Sequence, residues 1–192
     1  MKLAFLLLLV AGSDKTLNIG LRDQSVIEDV RPTPGRLPRA ALEILGVQVG
    51  RDRLRDARSK LGVAPLLNQG GPHAALGICY ETPLDGATLV VETGSLEFDP
   101  TDADVVDTLV LVKGAAQGCG RLATKGLSTR SGLRLGMTSM DVVSRFGPPG
   151  KRTPDLLLYA FVDGAVMAVV EAHLERGVVR QLVLTEWRDS GE

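Results

Sequence analysis

The residues of this chain best suited to chemistry are two cysteines, two histidines and a run of aspartates. His73 follows Gly70-Gly71-Pro72 in a loop, and His173 closes a strand in Glu171-Ala172-His173. Neither belongs to an H-E-x-x-H or C-x-x-C arrangement, so the spacing offers zinc no ligand set and no metal is expected. Asp99, Asp102, Asp104 and Asp107 are dense enough to hold calcium, yet the glycine and terminal glutamate of an EF-hand are missing. They read as a solvated hairpin loop. Cys79 and Cys119 could in principle include a nucleophile with a histidine partner, since such pairs meet only in the fold. In an oxidising compartment the simpler fate is one disulfide. No G-x-S-x-G, P-loop, dinucleotide-binding glycine pattern or Ser-x-x-Lys motif occurs, so no catalytic residue and no cofactor is expected.

Composition narrows the partners. Of 192 residues, 22 are Lys or Arg and 23 are Asp or Glu, for a net charge of −1. A nucleic-acid binder needs a basic excess to neutralise phosphates, so nucleic acid is not an expected partner. Charge is instead local: Arg51, Arg53, Arg55, Arg58 and Lys60 crowd one segment, interleaved with Asp52 and Asp56. This reads as a solvated helix face, with an acidic partner surface as the sharper alternative. Aromatic residues make up 4%, so the core must be aliphatic.

The first residues, Met1-Lys2 and then Leu3 to Val10, pair a minimal positive charge with a short apolar run, followed by Ala11-Gly12-Ser13. This is the pattern of a signal peptide cleaved before Asp14. The run is too short to span a bilayer, so no integral membrane segment is expected after cleavage. No cysteine follows it, so no lipid anchor is expected. The expected location is periplasmic or secreted. There a Cys79–Cys119 disulfide would close a loop of about 40 residues and stabilise the fold by roughly 4 kcal/mol.

The elements that position these residues show internal self-similarity. Asp85-Gly86-Ala87 recurs as Asp163-Gly164-Ala165, and Leu96-Glu97 as Leu174-Glu175. Val105-Val106-Asp107-Thr108-Leu109-Val110-Leu111 aligns with Val178-Val179-Arg180-Gln181-Leu182-Val183-Leu184, and Tyr80 with Tyr159. Gly50 and Gly62 bracket one segment as Gly136 and Gly147 bracket another. Each bracketed segment reads as a helix. Thr138 and Asp141 form a shortened capping box, Met140, Val143 and Phe146 face the core, and Gly147-Pro148-Pro149 ends the turn. In the first copy Asp52 caps, Leu54, Ala57 and Leu61 form the stripe, and Gly62 stops it. Three strands follow each helix, near 75–82, 87–93 and 105–112, then near 156–162, 165–172 and 178–187. Asp85-Gly86 and Asp163-Gly164 are the type I′ turn signals between the first two of each set.

Expected, then, is an α+β fold: two tandem helix-plus-antiparallel-meander repeats joined into one curved sheet, with helices on one face. The divisions are a signal peptide at 1–13, an N-terminal segment at 14–40, the first repeat at 41–113, a linker at 114–131 and the second repeat at 132–192.

Leu135-Gly136-Met137-Thr138, Val142-Val143 and Phe146-Gly147-Pro148-Pro149 resemble the helix signature of the small-protein-A type of outer-membrane assembly lipoproteins. Two such units in tandem resemble the β-lactamase inhibitory protein family. The resemblance implies a two-layer fold with a curved sheet, and a task performed by surface binding. The inhibitors' aromatic-rich concave face and the lipoproteins' lipidated cysteine both lack a counterpart here.

The functional expectation is an exported, non-catalytic protein-interaction module, an envelope adaptor or enzyme inhibitor, binding another protein through its sheet face. Leu157, Tyr159 and Phe161 alternate with Leu158, Ala160 and Val162, so this strand is apolar on both faces, and a sheet covered on one side needs only one. The second face is either open to a partner or covered by the N-terminal segment. Tyr80, Tyr159, Phe161 and Trp187 are the expected anchors, because aromatics dominate interface energetics. The alternatives are a carrier of small apolar ligands and a thiol- or metal-dependent enzyme.

Overall fold

The computed structural model describes residues 39–69, 74–95, 101–163 and 166–188. The proposed signal peptide, nearly all of the N-terminal segment, His73, Asp99, and Gly164 of the expected Asp163-Gly164 turn lie outside them. After a 3₁₀ turn at Arg39–Leu42 come β1 (Glu43–Ile44), β2 (Val47–Gln48), α1 (Leu54–Leu61), β3 (Leu66–Gln69), β4 (Ala74–Thr82), β5 (Ala87–Ser95) and β6 (Thr108–Lys113). Then follow β7 (Gly120–Arg121), α2 (Ser139–Phe146), β8 (Lys151–Arg152), β9 (Leu156–Asp163), β10 (Val166–Glu175) and β11 (Val178–Arg188).

The class is α+β, and one large, mostly antiparallel sheet dominates it. Its strands run β3-β4-β5-β6-β11-β10-β9-β8, with β7 pairing parallel to β4 and β1-β2 forming a separate hairpin. The two meanders thus meet edge to edge at β6 and β11. There Leu109 lies opposite Leu184, Val110 opposite Val183 and Leu111 opposite Leu182. Leu109, Leu111, Leu182 and Leu184 point into the main core, beside Leu54 and Ala57 of α1 and Val142 of α2. Apart from Tyr80 and Tyr159 the buried core is aliphatic, as the composition leads one to expect.

Both helices are held the same way. The Gly50 amide donates to the Val106 carbonyl, and the Val106 amide to the Asp52 carbonyl. The Gly136 amide donates to the Val179 carbonyl, and the Val179 amide to the Met137 carbonyl. Each helix ends on a glycine with positive φ, +100° at Gly62 and +82° at Gly147, where a side chain would be strained. Each terminal glycine carbonyl then accepts a tyrosine hydroxyl: Tyr80 Oη to Gly62 O at 2.7 Å, and Tyr159 Oη to Gly147 O at 3.1 Å.

Several local expectations are corrected. The N-cap of α1 is Arg53, not Asp52. The Asp52 carboxylate instead accepts from the Gln48 amide at 2.7 Å and pairs with Lys60 at 2.8 Å, tying the β1-β2 hairpin to the helix. On α2, Met140 is 75% exposed and the buried residue is Val142. Positions 139, 142, 143 and 146 share one side of an eight-residue helix, and 140 is turned away. Asp85-Gly86 sits in a four-residue loop between the paired Thr82 and Ala87, so it is not a two-residue turn. Tight two-residue turns occur at Leu45-Gly46 and Arg176-Gly177, each with positive φ at both positions as type I′ demands. The segment 114–131 is no bare linker. Within it β7 pairs with β4, Leu127 is buried in the core, and Thr129 bridges Ile44.

Candidate partner-binding surface

Of the four aromatic anchors, Tyr80 and Tyr159 are buried and do not lie at a surface. Tyr80 and Tyr159 are each 1% exposed, with their rings in the main core and their hydroxyls spent on the helix ends. A tyrosine is large enough to span the gap between sheet and helix, and its hydroxyl can donate to a carbonyl that the helix itself leaves without a partner. These two tyrosines pin the helices and are not available to a partner. Burial raises the hydroxyl pKa of both, that of Tyr159 to about 12, with Arg58 and Arg152 respectively opposing it weakly. Phe161 is partly buried against the same core. The side chain of Trp187 lies outside the described residues.

The opposite face of the sheet is divided into three. At the β4-β5 end, Ala75, Cys79 and Val90 are buried, with Leu67, Val110 and Cys119 packed on them. Cys79 and Cys119 form a disulfide, which draws the β7 strand onto β4 and covers this end. Both cysteines are thus held in the disulfide, and neither is a free thiol. At the β9-β10 end, Leu158, Ala160 and Val169 are buried, with Leu156 and Met167 beside them. Both ends of this face are therefore buried.

Between the ends, strand alternation aims Val110 and Val112 of β6, Gln181 of β11, and Glu171 and His173 of β10 to this same face. All five are half-buried. Register links Thr88, Val112, Gln181, His173 and Leu156 into one cross-strand row over five strands. His173 Nε2 lies 2.9 Å from Glu171 Oε2, which fixes the ring at the surface of the row. Sequence reasoning missed this strip because it weighted aromatics. The available signal was the unbroken apolar run 109–112, which no half-covered strand requires on both faces.

The remaining chemically suited groups have structural partners. The Asp102 and Asp104 carbonyls accept the Arg55 and Leu54 amides at 2.8 and 3.1 Å, and Arg58 lies 4.0 Å from the Asp102 carboxylate. That loop therefore caps α1 from outside. Asp85 accepts the Gly126 and Leu127 amides, each at 3.0 Å. Desolvation pushes its pKa up, but those two bonds, with Lys113 and Lys125 nearby, outweigh it and hold the carboxyl below the usual range. Glu186 is buried against Gly50, where a Cβ would overlap its carboxylate, with Arg39 at 4.0 Å. Among the described residues no group of three or more His, Cys, Asp or Glu could hold a metal ion. No helix among them is long and apolar enough to cross a membrane.

No protein-family model and no curated protein matches the chain. A solved structure, a DUF4309 family protein (YjgB) from Bacillus subtilis subsp. subtilis str. 168, is similar over 79% of this chain and 87% of that one. The identity is 12% and the TM-score 0.40, a likeness that assigns neither fold nor function.

Proposed function

We propose that this chain is an exported, non-catalytic protein-interaction module, made by duplication of one helix-plus-meander unit, that binds a protein partner through the sheet face away from its helices. The observation that carries this reading is the half-buried row across the centre of that face, Val112, Gln181 and His173 with Val110 and Glu171 beside them. It mixes apolar contact area with hydrogen-bonding groups on rigid strands, the composition of a protein interface. It also straddles the seam between the two halves, so both must be folded for it to exist.

Duplication is supported by the matched helix anchors and by the seam itself. Residues aligned in sequence, Leu109 with Leu182 and Leu111 with Leu184, exchange partners across β6-β11. That exchange is the signature of a two-fold axis, here through Val110 and Val183. Export is supported by the disulfide, which persists in oxidising compartments. A periplasmic or secreted location follows from this reading.

The test is site-specific photocrosslinking in cells exporting the protein, with benzoylphenylalanine at position 112 or 181 and a control at the exposed Ser144 of α2. One discrete adduct from 112 and 181, absent from 144 and lost on Val110→Asp, is the expected result. Equal labelling from all three positions, or none from the sheet face, would sink the reading.

A further inference from the structure

The two helices share an anchoring scheme, and the places where they differ are informative. Counting from the anchored glycine, α2 reaches its N-cap in two residues, Gly136-Met137-Thr138, and α1 takes three, Gly50-Arg51-Asp52-Arg53. Asp52 and Met137 hold matching positions by their carbonyl bonds to Val106 and Val179, which makes Arg51 the added residue. Arg53 then stands where α2 has Thr138, whose hydroxyl accepts the Asp141 amide at 3.1 Å. The Arg53 side chain makes no capping bond; Asp56 alone completes the turn, accepting the Arg53 amide at 3.1 Å. Two residues on, Arg55 faces solvent as Met140 does on α2.

Arg51, Arg53 and Arg55 are all exposed, and none has an ion pair among the described residues. The nearby cations Arg58 and Lys60 are paired, with Asp102 and Asp52. Three unpaired arginines therefore stand together at one end of one helix, at the expense of its cap, in a chain whose net charge is −1; Arg134, Arg152 and Arg176, also exposed and without an ion pair among the described residues, lie elsewhere. An arginine is a poor N-cap, and Ser, Thr, Asp or Asn would stabilise the helix better.

We infer that Arg51, Arg53 and Arg55 form a docking surface for a carboxylate-rich protein segment, separate from the sheet-face strip. Guanidinium groups match carboxylates with two parallel hydrogen bonds, so three neighbouring arginines suit successive carboxylates of an acidic peptide. Phosphate polymers and anionic membranes call for larger basic surfaces, usually four to eight residues in the membrane case.

The experiment uses the full exported chain and a fluorescein-labelled ten-residue poly-glutamate peptide, read by anisotropy at low and moderate salt. The triple variant R51E/R53E/R55E should weaken binding about tenfold or more, and added salt should weaken the native protein's binding. A control triple, R134E/R152E/R176E, removes as much charge from other exposed positions and should bind as the native protein does. Arg53→Thr should weaken binding and raise Tm by about 2–4 °C, because it restores a side-chain cap. Equal losses in the two triples would overturn the proposal. So would unchanged binding in the first, no rise in Tm for Arg53→Thr, or tighter arginine-dependent binding to phosphatidylglycerol vesicles or a DNA duplex than to the peptide.

Discussion

Tyr159 shows how one hydroxyl can couple two layers. Its ring fills space between sheet and helix, and its Oη reaches the Gly147 carbonyl at 3.1 Å. Tyr159→Phe keeps the ring and strands that carbonyl, and it should cost about 1 kcal/mol in urea denaturation at neutral pH. The pH dependence has a definite sign. The folded-state pKa, near 12, lies above the ordinary value of about 10, so the neutral hydroxyl is the form the fold prefers. Its contribution is complete below about pH 10 and is lost as pH rises through about 12. The native protein should therefore lose stability over that window more steeply than Tyr159→Phe, a difference that denaturation midpoints at pH 9, 10.5 and 11.5 would register. Sequence pattern alone made Tyr80 and Tyr159 an aligned pair, but it could not say whether they faced a partner or a helix. That depends on which sheet face the helices occupy.

At the level of elements, turn chemistry is where local signals were least reliable. Asp85-Gly86 looks like a type I′ turn, yet the Asp85 carboxylate is committed to the Gly126 and Leu127 amides, and the loop around it is longer. The tight turns fall at Leu45-Gly46 and Arg176-Gly177, whose first residues carry φ of 51° without the tolerance of Asn or Gly. Register imposes this: Glu175 pairs with Val178, leaving two residues to reverse the chain. Arg176→Asn should relieve the strain and stabilise the protein by about 0.5–1 kcal/mol, seen as a higher urea midpoint with unchanged slope. No gain would mean that the Arg180–Glu175 pair beside the turn depends on its present geometry. The helices were far more legible. A terminal glycine and a 3.6-residue apolar period are contiguous signals, and both helices lie where those signals fall, although the α1 cap is one residue later than Asp52 and Met140 is turned outward.

On the scale of the molecule, the sheet is continuous through β6 and β11, and the disulfide closes its β4 end. The sequence separation of 40 residues between Cys79 and Cys119 implies about 4 kcal/mol of stabilisation, mainly by restricting the unfolded chain. The C79S/C119S protein should therefore unfold at a markedly lower guanidinium concentration, and the native protein under a strong reductant should approach it. If reduction left the midpoint unchanged, the β7 segment would be held on β4 by its other contacts alone.

The two helices, the six long strands and the largely aliphatic core were written in local patterns: periodicity, glycine placement and repeated short strings. These depend on neighbours a few residues away, and a linear reading reaches them. The seam register, the burial of both tyrosines, the commitment of Asp85 to a distant loop and the half-covered strip at Val112, Gln181 and His173 depend on residues brought together from far along the chain. Packing decided them, because whether an apolar side chain is core or surface is a property of what lies opposite it, which no strand encodes in its own sequence.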